Sequence, residues 1–123
     1  MRLFLFRLGG EWFALRGEQI RGVLPRDGAS QEAPRLRVPG CSPSDPEGNL
    51  LVVACPGGAE ALLDVDRVEG LAELAEEALQ RVPSFVFPQG AATVSGVFEW
   101  DGTLAALLEP DRLELREPRP LVS

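Results

Sequence analysis

The sequence predicts an all-β protein built from small barrels, with one or two short helices. Three observations support this class. Glycine and proline divide the chain of 123 residues into short apolar runs. Neighbouring runs are joined by hairpin turn signals, and no segment has the length or the period of a long helix. At this length we expect one domain with a modest hydrophobic core.

The N-terminal part of the chain contains three predicted strands. Residues 3–8 form an apolar run that ends at Gly9-Gly10, which is a hairpin signal. Residues 11–16 form the returning strand, and residues 20–24 form a third strand that ends at Pro25. These elements predict a hairpin followed by a short additional strand.

Residues 26–49 are rich in proline and glycine and contain few apolar side chains. A structureless loop of this length is unusual inside a compact domain. We therefore expect either a short strand at residues 36–38 or the loss of structure that a larger relative would have here.

The second half begins with a continuous apolar run at residues 50–55, which is typical of a strand buried on both faces. Pro56-Gly57-Gly58 turns the chain, residues 60–65 return, and residues 67–74 continue as a further strand. Residues 75–81 are rich in alanine and glutamate and predict a short helix.

The C-terminal part predicts a second hairpin. Residues 93–100 and 103–109 flank Asp101-Gly102, a signal for a type I′ turn. Pro110 suits the first position of a short helix at residues 110–115. The tail, residues 116–123, is expected to be extended.

An internal repeat connects the two halves. Gly9-Gly10 and Gly57-Gly58 are 48 positions apart, and the same shift places Ile20-Arg21-Gly22-Val23 on Val68-Glu69-Gly70-Leu71. Each unit is a hairpin followed by a strand that bends at a glycine. The pattern predicts two related subdomains.

The composition excludes several functions. All 12 basic residues are arginines, there is no histidine, and the net charge is −7. The chain therefore lacks a histidine base or metal ligand and a lysine for Schiff-base chemistry. An acidic chain also suits nucleic acid poorly. No apolar run is long enough to be a signal core or to span a membrane, so we expect a cytoplasmic protein without a cofactor.

Two pairs of residues are candidates for chemistry. Asp64 and Asp66 share a face of a strand and could act as general acid and base, but a solvated Asp64 and a turn-capping Asp66 are the favoured interpretation. Cys41 and Cys55 lack the further ligands of a zinc site, and the sequence leaves open whether they are paired.

Few amides and many prolines are also compatible with a thermophilic source.

The ordered set of segments resembles the CheW-like coupling domains of bacterial chemosensory systems. The resemblance is strongest over residues 50–115 and includes the segment Val65-Asp66-Arg67-Val68-Glu69-Gly70. Weaker matches are Ile20-Arg21-Gly22-Val23-Leu24-Pro25 and Val38-Pro39-Gly40. The positions that match structural residues of the family are Gly22, Pro39, Gly40, Val65, Asp66, Val68, Gly70 and Gly96.

The resemblance implies a pair of small five-stranded barrels that resemble SH3 or OB barrels. Residues 1–49 would form a reduced first subdomain, residues 50–109 the second, and residues 110–123 a C-terminal helix and tail. After Pro39-Gly40 the chain lacks the family's arginine-glycine segment and about two strands, so coupling to receptors is in doubt. Strands left without neighbours would need a cover, and a homodimer through the edge strands of the first subdomain would provide one.

The function implied by the resemblance is that of a non-enzymatic adaptor in a bacterial chemosensory or motility pathway. Its partners would be a CheA-type histidine kinase or a chemoreceptor. The alternatives are a degenerate paralogue that only self-associates and a small ligand-binding barrel. The candidate partner-binding residues are Phe85, Val86, Phe87, Arg21 and Arg67. The alternative roles are a loop folded over a barrel mouth for the first three, and ordinary surface salt pairs for the arginines.

Overall fold

The computed structural model describes residues 1–26, 34–81 and 94–116, and within these ranges the chain forms strands joined by turns and single 3₁₀ turns. The all-β class is thereby confirmed. In chain order the strands are β1 (Arg2–Leu8), β2 (Glu11–Arg16), β3 (Ile20–Pro25), β4 (Arg35–Arg37), β5 (Asn49–Ala54), β6 (Glu60–Val65), β7 (Arg67–Glu73), β8 (Val94–Trp100), β9 (Thr103–Leu108) and β10 (Glu114–Arg116).

The strands form two five-stranded sheets, which we call sheet A and sheet B. Sheet A has the order β7-β1-β2-β9-β8, and sheet B has the order β3-β5-β6-β4-β10. Neighbouring strands are antiparallel except for the parallel pairs β2–β9 and β4–β6. In the described part of the chain neither sheet closes into a barrel, although a single bridge from Gln80 to Val97 extends the β8 edge of sheet A.

The two sheets follow the same plan, and this confirms the internal repeat. The hairpin β1–β2 of sheet A corresponds to the hairpin β5–β6 of sheet B. The third strand of each unit pairs with the hairpin of the other unit, so that β3 lies beside β5 and β7 lies beside β1. Both of these strands carry an irregular step next to their glycine, Gly22 in β3 and Gly70 in β7. Each half of the predicted division at residue 50 thus supplies strands to both sheets.

The expected loss of about two strands is not observed, because sheet B has five strands, as sheet A does; two of them are short instead. In sheet A the hairpin is extended by β9 and β8, which have six and seven residues. In sheet B the same places are taken by β4 and β10, which have three residues each. The expected short strand near residues 36–38 is confirmed as β4, and the C-terminal strand β10 covers its outer edge.

The two predicted helices are shorter than expected. Within residues 75–81 only Glu76–Ala78 forms a 3₁₀ turn, because Gln80 is already bonded to Val97 of β8. Within residues 110–115 the 3₁₀ turn covers Pro110–Arg112, and the chain then enters β10. Segments this short cannot complete enough helical hydrogen bonds to offset the cost of helix nucleation.

The main core lies between the two sheets. Phe6 of β1 and Phe13 of β2 stack with their ring centroids 6.0 Å apart. They pack with buried side chains that sheet B contributes to the same cluster, among them Leu51, Val53, Leu63 and Val65. A second core covers the opposite face of sheet A and contains Leu3, Leu5, Ala14, Ala72, Leu74, Phe98, Ala105 and Leu107. Sheet A is therefore buried on both faces.

Candidate protein-docking groove

An apolar groove of about 610 Å³ lies on the face of sheet A that also forms the main core. Side chains alternate between the two faces of a strand, so Phe13 of β2, Val97 of β8 and Ala106 of β9 point to this side. The rest of the lining includes Val94, Leu104 and residues 38–42. We call this feature the A groove.

Leu104 is the most exposed large apolar side chain of the groove. It is 63% exposed, although it belongs to the apolar strand β9, where it is the second residue and is paired in register with Glu99 of β8. An exposed leucine beside half-buried Val97 forms the apolar surface that partner proteins contact.

The wall of the A groove is a tight turn at residues 38–41. The amide of Cys41 donates a hydrogen bond of 3.0 Å to the carbonyl of Val38. Pro39 supplies the fixed φ of the second turn position, and Gly40 has a φ of +80°. These are the residues that a type II turn requires. Val38 is buried in the main core and anchors the wall.

Asp66, in the turn between β6 and β7, holds the segment that follows the wall. Its carboxylate accepts hydrogen bonds from the amides of Gly9, Ser44 and Asp45, at 2.7, 2.7 and 2.8 Å. The hydroxyl of Ser44 donates a fourth at 3.1 Å. Burial acts to raise the pKa of Asp66, but these hydrogen bonds outweigh it, and the net effect lowers the pKa below its ordinary value. Asp66 therefore joins the β1–β2 turn to residues 44–45.

Asp64 and Asp66 do not act together. Asp64 lies between two arginines, with Oδ1 3.3 Å from Nε of Arg26 and Oδ2 3.0 Å from Nη1 of Arg35. Asp64 is partly exposed, as expected, but it is also ion-paired, which the sequence did not predict because Arg26 and Arg35 come from distant parts of the chain. Each carboxylate has its own set of partners, and the pair does not converge on a catalytic site.

Both cysteine thiols are free and half-buried. Burial raises the pKa of the Cys41 thiol, and the Glu11 carboxylate raises it further. Burial also raises the pKa of Cys55. A raised pKa leaves less reactive thiolate at neutral pH. Among the described residues no three cysteine or acidic side chains are arranged to hold a metal ion.

No protein-family model matches the chain, and no curated protein matches it. Among solved structures, the chain is similar to the crystal structure of the scaffolding protein TtCheW from Thermoanaerobacter tengcongensis. The match has a TM-score of 0.70 and 14% sequence identity, and it covers 89% of this chain and 84% of that chain. The chain has a CheW-like fold. The resemblance seen in the sequence is therefore confirmed for the fold.

Within this CheW-like fold, the predicted partner-binding arginines lie away from the A groove. Arg21 is exposed on β3 and Arg67 is exposed on β7, and both strands are edges of their sheets. Arg67 forms an exposed ion pair with Glu69 at 3.2 Å. Phe85, Val86 and Phe87 lie outside the described residues, so their predicted role stays a prediction.

The positions that resemble the family's structural residues have distinct surroundings. Val65 is fully buried in the main core, and Val68 packs against that core. Gly96 lies in β8 so close to Leu79 and Gln80 that a side chain would overlap them. Pro39 and Gly40 form the turn of the groove wall, and Asp66 holds the segment that follows it.

Sequence reasoning missed Leu104 and Val97 as surface residues. Both lie in apolar runs that predict strands, and the runs carry no sign of which face stays uncovered.

In the part of the chain that the structure describes, no helix has the length and apolar character needed to cross a lipid bilayer.

Proposed function

We propose that this chain is a non-enzymatic, CheW-like adaptor that binds other proteins in a bacterial chemosensory or motility pathway. The A groove is the docking surface. The observation that carries this proposal is exposed Leu104 in an apolar groove, on a fold shared with a scaffolding protein. A CheA-type histidine kinase and a chemoreceptor are the proposed partners, and a cytoplasmic location follows from that role.

The physical basis is the burial of apolar surface. Covering an exposed leucine side chain contributes about 1.5–3 kcal/mol. Leu104 is the most exposed large apolar side chain of the groove and is paired with Glu99, whereas Ala106, two residues further along β9, lies between Phe13 and Val97. A charged side chain at position 104 would have to lose its water on docking, which is costly.

Two exposed leucines give a matched test. Leu104 is 63% exposed in the groove, and Leu71 is 62% exposed on β7, at the edge of sheet A. The variants Leu104→Asp and Leu71→Asp are compared with the unmodified chain in co-purification with a CheA-type kinase and with a chemoreceptor signalling domain from the same genome. Circular dichroism controls for folding.

We expect the unmodified chain and Leu71→Asp to retain a partner, and Leu104→Asp to lose it. Recovery of neither partner by the unmodified chain would contradict the proposal. Equal recovery by both variants would contradict the assignment of the groove.

Self-association through β3 is a second candidate, favoured by exposed Val23 on this edge strand. The irregular step at Gly22 and the proline at position 25 oppose it, since both features discourage strand pairing at an edge. Sedimentation velocity of the isolated chain distinguishes a dimer from a monomer. A dimer that Val23→Asp dissociates would favour this candidate over the adaptor.

A further inference from the structure

A second cavity, of about 410 Å³, opens beside the short strand β4, and we call it the β4 cavity. Its floor consists of four side chains that are buried in the main core, namely Leu8, Leu36, Val38 and Leu63. The turn at residues 38–41 forms a wall that it shares with the A groove, since Val38 and Cys41 line both spaces. A cavity of this size with an apolar floor suits a small molecule.

The rim of the β4 cavity carries two arginines. Arg35 and Arg37 are two residues apart on β4, so their side chains leave the strand on the same side, and both line the cavity. Arg37 is exposed and forms no ion pair with another described residue. Glu114 of β10 is paired in register with Arg37 but does not come within ion-pair distance of it.

The carboxylate beside these arginines is already occupied. Asp64 lines the cavity, with Oδ2 3.0 Å from Nη1 of Arg35 and Oδ1 3.3 Å from Nε of Arg26. Each guanidinium has five N–H donors. Two arginines thus share the two oxygens of Asp64, while Arg37 adds donors for which the described lining residues supply no further carboxylate. The rim therefore has more donors than acceptors.

This excess of donors favours an anion. Arg26, Arg35 and Arg37 outnumber the carboxylates of Asp64 and Glu114, so the local charge is positive in a chain whose net charge is −7. An acidic protein repels anions over most of its surface, and this makes a local cluster of arginines selective. The planar guanidinium also matches a carboxylate or a similar group with two hydrogen bonds.

We propose that the β4 cavity binds a small molecule that carries a carboxylate or sulfonate group on an apolar body. The acidic group would accept hydrogen bonds from Arg37 and Arg35, and the apolar body would lie against Leu36 and Leu63. This inference goes beyond the adaptor function and does not depend on docking in the A groove.

Three probes separate the acidic group from the apolar body. The dye anilinonaphthalene sulfonate has both, phenylnaphthylamine has the same aromatic body without the sulfonate, and methanesulfonate has the acidic group alone. Fluorescence titration measures the binding of the two dyes to the full chain, with methanesulfonate as a competitor.

Four variants locate the site. Arg37→Gln removes the charge at the rim, and Arg37→Lys keeps it. Arg112→Gln is the matched control, because Arg112 is exposed and does not line the cavity. Leu104→Asp alters the A groove and leaves the β4 cavity intact. Circular dichroism controls for folding.

We expect the unmodified chain to bind the sulfonate dye at least about 5-fold more tightly than the neutral dye, because only the sulfonate accepts charge-assisted hydrogen bonds. Arg37→Gln should weaken binding of the sulfonate dye about 2- to 10-fold, as loss of a partly exposed charge pair does. Arg37→Lys should weaken it less, and Arg112→Gln and Leu104→Asp should leave it unchanged. High salt should reduce the difference between the two dyes.

Equal binding of the two dyes, or no binding of the sulfonate dye, would overturn the inference. An equal loss with Arg37→Gln and Arg112→Gln would also overturn it, since overall charge would then determine binding. If Leu104→Asp abolishes dye binding and Arg37→Gln does not, the dye occupies the A groove and the β4 cavity is not the site. Displacement of the dye by an equal concentration of methanesulfonate would contradict the role of the apolar floor. None of these results bears on co-purification with a kinase or a receptor, so the adaptor function fails or stands separately.

Discussion

Sheet A and sheet B have the same strand plan, but their outer faces differ. The outer face of sheet A is covered by a second core that includes fully or nearly fully buried Leu3, Phe98 and Leu107. On sheet B, Leu62 and Asp64 of β6 share the corresponding face, and Asp64 forms ion pairs with Arg26 and Arg35. The strands of sheet B that correspond to β9 and β8 are β4 and β10, and each of them has only three residues.

The comparison shows how strand length decides what a sheet can bury. Strands of six and seven residues bring Phe98 and Leu107 over the hairpin of sheet A. Strands of three residues supply at most one or two side chains to each face. An ionic cluster can occupy such a face because its charges satisfy one another and remain partly hydrated.

The largest expected effect is loss of the second core of sheet A. Phe98 is 2% exposed, so Phe98→Ala should lower the free energy of unfolding by about 3–5 kcal/mol. Urea denaturation followed by tryptophan fluorescence measures the change. Val23→Ala, an exposed position on β3, is the control and should change it by less than about 0.5 kcal/mol. A loss below about 1 kcal/mol for Phe98→Ala would show that the second core contributes little to the free energy of unfolding.

The next effect concerns the closure of sheet A at Gly96. A Cβ at this position would lie 2.7 Å from Cγ of Leu79 and 2.9 Å from the carbonyl oxygen of Gln80. Gly96→Ala should therefore destabilise the protein by about 1–3 kcal/mol and displace the Gln80 bridge. Hydrogen exchange should show faster exchange at the amides of Gln80 and Val97. Unchanged exchange at both amides would contradict the role of this close contact. Gly22→Ala controls for backbone effects, because a Cβ there would meet only Cγ2 of Val52 at 3.9 Å and its φ is not in the left-handed region.

Asp66 should make stability depend on pH. Because its folded pKa is below the unfolded value, the stabilisation is fully present above the unfolded pKa of about 3.9 and is lost as the pH falls through the folded pKa. Asp66→Asn should cost about 1–2 kcal/mol near neutral pH, because the ionised acceptor of four hydrogen bonds is removed. Urea denaturation from pH 3 to pH 7 measures both. An equal pH dependence for the variant and the unmodified chain would assign the effect to other groups.

The smallest effect is expected on the outer face of sheet B. Asp64→Asn should lower the free energy of unfolding by about 1 kcal/mol or less, since Asp64, Arg26 and Arg35 are all partly exposed. The difference should shrink at high salt. Urea denaturation at low and high salt tests this, with Glu47→Gln as the control for loss of one exposed charge. A loss comparable to that of Phe98→Ala would show that the ionic cluster is as important as the second core.

Local patterns predicted the hairpins correctly. Asp101 and Gly102 both have positive φ, as the type I′ turn requires. The Val38-Pro39-Gly40 turn and the 48-residue repeat were also visible in the sequence, because they depend on neighbouring residues or on direct similarity.

Long-range pairing could not be predicted in the same way. The exchange of β3 and β7 between the hairpins and the pairing of β10 with β4 join residues that are far apart in the chain. Periodicity describes which face of a strand is apolar, but not which strand lies beside it. The A groove depends on that missing information, since it is lined by residues of β2, β8 and β9 together with the turn at residues 38–41. The prediction that Arg21 and Arg67 bind partners was made without knowing which strands lie beside theirs.

The central claim is that partners dock on Leu104 in the A groove. The most direct test places the photo-crosslinking residue p-benzoylphenylalanine at position 104 or at position 71 and irradiates the chain with its CheA-type kinase or chemoreceptor partner. We expect a covalent adduct from position 104 and none from position 71, because the two leucines are equally exposed but only Leu104 lies in the groove. An adduct from position 71 alone, or adducts of equal yield from both positions, would contradict the account.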